Sequence, residues 1–317
     1  MAGTLAGWAA ARLAGADRLR FAEAWAVPLL SFTPQVTVGA WAGALLLRGA
    51  GPAAAAAVAG AALTAAVGPR AVPYRQPPAA GPVLRVVTAN LLFGRAVADA
   101  VVELAGRTHA DVLFVQELTG DAAARLARAG LGDLLPYQVT QPVPHARGSI
   151  YARYPLRSAP PGARPSAARC TARLVLPSGQ FVQLACIHAV PPRPPWSPGA
   201  AARWRSQLSA LPAPDGGPRI LAGDFNATLD HAQFRRLLRS GYVDAARQAG
   251  HGLSPTWGPR PGRRPTLLAI DHVLIDRRCA VLAVSAHRLT GSDHRALYAE
   301  VQLPAPHSRG DQAPPKP

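Results

Sequence analysis

The sequence predicts an α/β sandwich with largely antiparallel strand pairing, set behind an apolar N-terminal hairpin. Three observations predict it. Short apolar strands recur from Val83 onward, and some are joined by tight turns such as Pro177-Ser178-Gly179. Helical periodicity appears between other strands, so sheet and helix mix within one domain. Ahead of that domain lie two uncharged stretches of bilayer-crossing length.

Residues 1–23 are alanine-rich but carry Arg12, Asp17, Arg18, Arg20 and Glu23, which predicts a short amphipathic or interfacial helix. Residues 24–69 are expected to form two transmembrane helices, Trp25 to Leu47 and Gly49 to Gly68. Gln35 is the one strongly polar group of the first apart from a few hydroxyls, and Pro28 and Pro34 are expected to kink it. Small residues in the second would allow close helix packing. Residues 70–82, with four prolines, read as a stiff linker.

A catalytic domain is expected over residues 83–303, followed by a disordered tail, 304–317. Its elements are a strand Val83–Asn90, a helix Val97–Ala105, a strand Asp111–Glu117 and a helix Asp121–Ala129. Strands follow at Ser149–Arg153, Cys170–Leu176 and Phe181–His188, then a helix Ala200–Leu211 and the strand ending at Asp224. A helix at Phe234–Leu238 and strands at His272–Ile275, Val281–Ser285 and Ala296–Val301 complete the domain.

Net charge is +17, with every cation but Lys316 an arginine. That balance favours an anionic partner: phosphate, nucleic acid or an acidic membrane surface. The three cysteines have no CxxC spacing, which excludes a zinc knuckle, and Cys170 and Cys186 are expected as buried thiols on adjacent strands. No Gly-x-Ser-x-Gly elbow and no P-loop are present.

The chemistry lies at strand ends. Val86-Val87-Thr88-Ala89-Asn90 ends in an amide and Val112 to Glu117 in an amide and a carboxylate. Gln183 to His188 ends in an imidazole. Ile220-Leu221-Ala222-Gly223-Asp224-Phe225-Asn226 breaks at glycine and presents Asp224, to orient a water, and Asn226, to offer amide donors. Phe225 between them should face the other way and pack. Asp271 opens a strand, and Ser292-Asp293-His294 precedes the last one.

With these motifs the sequence resembles the endonuclease/exonuclease/phosphatase superfamily of deoxyribonuclease I-like, metal-dependent phosphoesterases, including membrane-anchored bacterial members. The carrying segments are Thr88-Ala89-Asn90, Gln116-Glu117, His188, Gly223-Asp224-Phe225-Asn226, Ile270-Asp271-His272 and Ser292-Asp293-His294. The resemblance implies a four-layer sandwich, two mixed and largely antiparallel sheets flanked by helices, with the site at one rim. It implies Glu117 as principal ligand of Mg²⁺ (Mn²⁺ as the alternative), with Asn90 beside it and Asp293 near the metal. It implies Asp224 as the group that orients or deprotonates water, and Asn226 and His188 as holders of phosphoryl oxygens. His294 would lie by the phosphorus, with its ring held by Asp271.

Two loops, one carrying Arg193 and Trp196 and the other Trp257, read as substrate-binding: arginine grips phosphate, and tryptophan stacks or enters a headgroup layer. The expectation is a membrane-anchored phosphoesterase acting on a lipid-linked or envelope phosphate, with the bilayer as its other partner and no obligate protein partner. A nuclease is the second reading and a catalytically dead binding module the third. The arginine count around the two spans favours a cytoplasmic catalytic domain, whereas the resemblance favours an outward-facing one.

Overall fold

The computed structural model describes residues 1–140, 147–158, 167–192, 199–258 and 266–305. Its N-terminal part holds four α-helices, α1 (Ala2–Ala14), α2 (Glu23–Leu30), α3 (Thr33–Leu46) and α4 (Ala50–Val67). The domain then begins with β1 (Val83–Asn90), α5 (Ala98–Arg107), β2 (Val112–Leu118), α6 (Gly120–Arg128), α7 (Leu131–Leu134), β3 (Tyr137–Thr140), β4 (Arg147–Ala152), β5 (Leu156–Ser158), β6 (Ala168–Val175) and β7 (Phe181–His188). It ends with α8 (Ala200–Ser209), β8 (Arg219–Asp224), α9 (Ala232–Arg239), β9 (Tyr242–Asp244), α10 (Ala245–Gln248), β10 (Asp271–Asp276), β11 (Ala280–Arg288) and β12 (Arg295–Gln302).

The strands form two six-stranded sheets, in the orders β11-β12-β1-β2-β4-β3 and β5-β6-β7-β8-β10-β9. Each sheet has one parallel pair, β1 with β2 and β7 with β8; the other neighbours are antiparallel. A parallel pair needs a crossover, and α5 and α8 supply the two. Each crossover returns the chain so that both of its strands end at the same rim. The antiparallel neighbours β12 and β10 must then begin at that rim. Six strand termini that carry polar residues in the sequence are thereby gathered at one end of the sandwich.

Alternation along the strands builds the layers. Leu84, Val86, Val112 and Phe114 face Cys186, Ile220, Ala222 and Val273 across the space between the sheets. On the outer face of the first sheet, Val87, Leu113 and Val115 pack against Val101, Leu104 and Leu126 of α5 and α6. On the outer face of the second, Ile187, Leu221 and Leu274 pack against Trp204, Leu208, Phe234 and Leu237 of α8 and α9. The result is helix, sheet, sheet, helix. Cys170 and Cys186 sit opposite each other in register and both remain thiols, donating to the carbonyls of Val139 and Val115 at 3.2 and 3.3 Å. The short edge strands β3, β5 and β9 were not expected from the sequence; they are too brief to show a period.

The N-terminal part departs from a plain hairpin. The stretch Trp25 to Leu47 is not one kinked helix: it breaks between α2 and α3 with a bend of 74°. Pro34 has no N–H for the carbonyl of Leu30, which accepts instead from the Thr33 hydroxyl at 2.7 Å. Residues Ala50–Ala71 form one helix long and apolar enough to cross a membrane. Helix α1 packs its Leu5, Trp8 and Ala9 against Ala59 and Leu63 of α4.

Residues 70–82 are not a free spacer. Tyr74 N–H donates to the Gln248 carbonyl at 3.0 Å, Gln76 Oε1 accepts from Val281 N at 3.0 Å, and Gly81 N–H donates to Leu303 O at 2.9 Å. Arg12 and Arg70, two of the arginines that flank the apolar spans, are buried against the domain. Arg12 Nε donates to Asp230 Oδ1 at 2.5 Å, and Arg70 grips Asp230 with two bonds at 2.5 and 2.7 Å. Burial alone would raise the Asp230 carboxyl; the Arg70 and Arg12 guanidiniums reverse this and hold it below its ordinary value. Asp17 Oδ2 accepts from Ala232 N at 2.6 Å, and Glu23 pairs with Arg205.

Candidate active site

The rim collects Asn90 from β1, Glu117 from β2, His188 from β7, Asp224 from β8, Asp271 from β10, and Asp293 and His294 from the turn before β12. His188 and Asp224 are register partners across β7 and β8, and Asp224 and Asp271 across β8 and β10. Residues that share a register on one face lie side by side, so the second sheet presents a row of imidazole, carboxylate, carboxylate. The first sheet closes over it. Asn90 Nδ2 lies 3.2 Å from Glu117 Oε1 and 3.2 Å from Asp224 Oδ2. His188 Nε2 lies 3.5 Å from Glu117 Oε1. His294 Nδ1 donates to Asp271 Oδ2 at 2.8 Å.

Local backbone aims these groups. Glu117 has φ 55° and sits where the pairing of β2 with β4 slips between Val115 and Leu118. A bulge there turns the carboxylate into the rim, which strict alternation after the inward-facing Gln116 would not do. Leu92 and Phe93 also have positive φ, and their amides fold back: Leu92 N–H donates to Asn90 Oδ1 at 3.0 Å and Phe93 N–H to Glu117 Oε2 at 2.7 Å. Asn226 is left-handed as well, at φ 47°. Such backbone is uncommon outside glycine and clusters where a site demands an orientation. Gly223, at φ 146°, lets β8 pass close to β7: a Cβ there would lie 2.0 Å from the Ile187 carbonyl oxygen.

Asn226 works differently from the sequence expectation. Its Nδ2 donates to Ala189 O at 2.9 Å and to Asp224 Oδ2 at 3.3 Å, and its backbone N–H donates to Asp224 Oδ1 at 2.8 Å. Both amide hydrogens are engaged within the chain, so Asn226 orients Asp224. Phe225 points away from the rim, as alternation requires, and meets Phe234 and His272 edge-on at 5.4 and 5.7 Å. His272 also faces away: it donates to Asp244 Oδ2 at 2.7 Å and to the Ala227 carbonyl at 2.8 Å. With both ring nitrogens donating, it is a structural imidazolium.

Trp257 flanks the rim. Its Nε1 donates to Asp293 Oδ2 at 3.0 Å, and its backbone bridges to both His294 and Leu268. Arg193 and Trp196 lie outside the described residues. Sequence reasoning missed the supports. Ser292 Oγ donates to the Asn90 carbonyl at 2.7 Å and accepts from His294 N, so it ties two strands and is no nucleophile. Thr256 Oγ1 accepts from the amides of Ile270 and Asp271 at 3.1 and 3.0 Å. The Ser-x-His spacing was a readable signal for the first, since hydroxyls bond the amide two residues on; Thr256 had none.

Electrostatically the rim is anionic, with Glu117, Asp224, Asp271 and Asp293 against two imidazoles. Burial, then the charge of Asp271, raises Asp224 to about 7. Burial alone would lower His294, but Asp271 foremost, with Asp224 and Asp293, raises it to about 10.

A cation would relieve this crowding. Asp224, Asp271 and His294 offer ligand atoms within 4.8 Å of one another. There, however, His294 Nδ1 is already bonded to Asp271 Oδ2 at 2.8 Å. The set that the resemblance implies, Glu117, Asn90 and Asp293, has oxygen ligands of the kind a hard divalent ion prefers, although Asn90 turns its Nδ2 to Glu117 and its Oδ1 to the Leu92 amide. Asp293 Oδ1 is buried and has no hydrogen-bond partner, which leaves it open as an acceptor.

A profile of the endonuclease/exonuclease/phosphatase family matches residues 87–294. Comparison of the sequence with curated proteins finds no match. Among solved structures, an endonuclease/exonuclease/phosphatase from Beutenbergia cavernae is similar with TM-score 0.56 and 18% identity, over 71% of this chain and 73% of that one. A humanized D. rerio TDP2 gives TM-score 0.56 and 17% identity, over 69% and 98%. The 3′ phosphatase NExo from Neisseria, bound to a product DNA hairpin, gives 0.52 and 20%, over 68% and 98%.

Proposed function

Since the chain belongs to the endonuclease/exonuclease/phosphatase family of phosphoric ester hydrolases, we propose that it is a membrane-anchored enzyme that hydrolyses a lipid-linked or envelope phosphate ester by attack of water. The observation that carries the chemistry is the convergence of seven scattered polar residues on one rim with an unsatisfied carboxylate oxygen at Asp293. The anchored part rests on the apolar helix Ala50–Ala71 and on the exposed Val38, Leu45, Leu46 and Val58 of α3 and α4.

Glu117, Asn90 and Asp293 would hold Mg²⁺, which supplies Lewis-acid charge to the non-bridging oxygens when bound. Asp224, fixed by Asn90 and Asn226, accepts a proton from the attacking water. His294 presents its Nε2–H, 3.8 Å from Asp224 Oδ2, to the phosphoryl group or the leaving oxygen. Asp271 holds that ring in place and keeps it charged. His188, beside Asp224 in register, is the further donor to phosphoryl oxygen.

A nuclease is the second reading. Arg95, Arg125 and Arg128 line a cleft of about 420 Å³ on the turn that follows Asn90, and arginines there suit a phosphate backbone. A panel of plasmid DNA, RNA, sphingomyelin, polyprenyl pyrophosphate and inositol phosphates at fixed Mg²⁺ separates the two. Turnover confined to the lipid phosphates is expected; turnover confined to DNA or RNA overturns the lipid assignment.

A further inference from the structure

We infer that the N-terminal helices brace the catalytic centre from outside, and that Gln35, an exposed side chain of α3, is a positioning residue for it. The inference rests on the metal-dependent reading above. Gln35 is the one strongly polar side chain, hydroxyls aside, in its apolar run. Such a group is costly in a lipid-facing helix unless it has a partner. Its partner is on the other module: Gln35 Nε2 donates to the Leu267 carbonyl at 2.7 Å.

Leu267 belongs to a short two-stranded ladder. Leu267 N and Leu268 N donate to Trp257 O at 2.7 and 3.1 Å, and Trp257 N donates to Leu268 O at 2.9 Å. The ladder ends at the site. Trp257 Nε1 holds Asp293 Oδ2, Gly258 N–H holds Asp293 O at 3.1 Å, and Arg295 N–H holds Thr256 O at 2.6 Å. Thr256 Oγ1 in turn takes the amides of Ile270 and Asp271. A continuous set of hydrogen bonds therefore runs from α3 through Leu267 and Trp257 to Asp293, and branches to Asp271.

The rest of the N-terminal module is fixed firmly enough for Gln35 to act as a stop. Arg12 and Arg70, at the ends of α1 and α4, share the buried Asp230. His231, next to it, donates to the Val27 carbonyl of α2 at 2.7 Å. Between α3 and the ladder lies a cavity of about 160 Å³ lined by Pro34, Gln35, Pro255, Leu267 and Leu268. With open space on that side, the Gln35 bond is a direct restraint on the ladder from the helices. Asp293 is thus set by a group outside the domain that the family profile covers.

The test uses the full chain in detergent, with Gln35→Leu, the isosteric Gln35→Glu, which cannot donate to a carbonyl, and Gln35→Lys, which keeps a donor of similar reach. Val38→Leu, exposed on the same helix, is the control. Mn²⁺ affinity is read by titration calorimetry, and amide exchange of the Thr256–Gly258 and Ile270–Asp271 segments by mass spectrometry. Loss of an outer support weakens metal binding by about 10-fold or more. Gln35→Leu and Gln35→Glu are therefore expected to bind Mn²⁺ about 10-fold more weakly and to exchange faster in both segments, while Gln35→Lys and Val38→Leu match the parent. Unchanged affinity and exchange in Gln35→Leu and Gln35→Glu overturn the inference. If the parent itself binds no Mn²⁺ and cleaves no phosphodiester, the metal reading fails, and the exchange comparison alone decides the role of Gln35.

Discussion

His294 and Asp271 belong to different sheets, and the 2.8 Å bond from Nδ1 to Oδ2 joins the sandwich across its rim. Asn90 to Asp224 and His188 to Glu117 cross in the same way. The candidate active centre is therefore made by the mutual placement of two sheets, and each crossing contact both orients a polar group of the rim and ties the layers together.

Replacing Asp271 tests the first crossing. Asp271→Asn keeps the shape but removes the charge that, against the opposing effect of burial, carries His294 up to about 10. The imidazolium is then lost at lower pH. The expected result is a fall in kcat on bis-p-nitrophenyl phosphate of about 10²- to 10⁴-fold, within the usual worth of a positioned proton donor, with KM little changed. The alkaline limb of the pH–rate profile should move toward neutrality. An unchanged limb would separate His294 from the proton transfer.

Asp224 is expected to govern the acidic side. Burial and the neighbouring Asp271 hold its proton on up to about pH 7, so the base form grows as pH rises through that value. Activity should rise with it. Asn90 Nδ2 lies 3.2 Å from both Glu117 and Asp224, so a divalent cation held at Glu117 would lie close to Asp224 and its charge would favour the carboxylate. Raising Mg²⁺ should therefore shift the acidic limb to lower pH, and a limb indifferent to Mg²⁺ would place the cation elsewhere.

The metal set is tested directly. Glu117→Gln and Asp293→Asn each remove one anionic oxygen donor and should weaken Mn²⁺ binding by about 10- to 100-fold or more. EDTA should silence the parent enzyme. If instead Asp224→Asn alone abolishes binding while Glu117→Gln retains it, the cation belongs to the Asp224, Asp271, His294 grouping.

Gly223 is a purely geometric case. An alanine Cβ would lie 2.0 Å from Ile187 O, and the φ of 146° is hostile to any side chain. Nothing soft is in the way, only backbone of the paired strand. Gly223→Ala should destabilise by about 3 kcal/mol or more. A fall in Tm on the order of 10 °C follows for a domain of this size, and differential scanning fluorimetry reads it.

The gathering of the candidate site was legible because strand periodicity and strand ends are local signals. Asn90, Glu117, His188, Asp224, Asp271 and His294 each stand at the end or the start of an apolar run, and two crossover connections bring those ends together. What stayed hidden is non-local or conformational. Nothing in Val115-Gln116-Glu117 announces the bulge that turns Glu117 inward. Nothing near Asp230 indicates that Arg12, 218 positions earlier, will reach it. Trp25 to Leu47 has the composition of one span; its prolines signalled a kink, but not that Pro34 would break it into two helices at 74°. Arg12 and Arg70, which flank the spans where arginines set topology, instead hold a buried carboxylate.

Asp230 offers the sharpest test of how the two modules are joined. Its side chain is fully buried and faces two guanidiniums that are themselves almost inaccessible. Asp230→Asn leaves both cations buried without a counter-charge, and breaking a buried pair in this way costs about 3–5 kcal/mol. The well-packed alternative is different in kind: Asp230→Leu combined with Arg12→Met and Arg70→Met removes all three charges together. By the same reasoning this triple variant should recover most of the loss, because the desolvation penalty disappears with the charges. Chemical denaturation of the three proteins gives the comparison. If Asp230→Asn is as stable as the parent, the guanidiniums are solvated in solution and the N-terminal helices are not seated on the domain. If the triple variant is no better than Asp230→Asn, the interface depends on the hydrogen-bond geometry of Arg70 with Asp230 more than on cancelling buried charge.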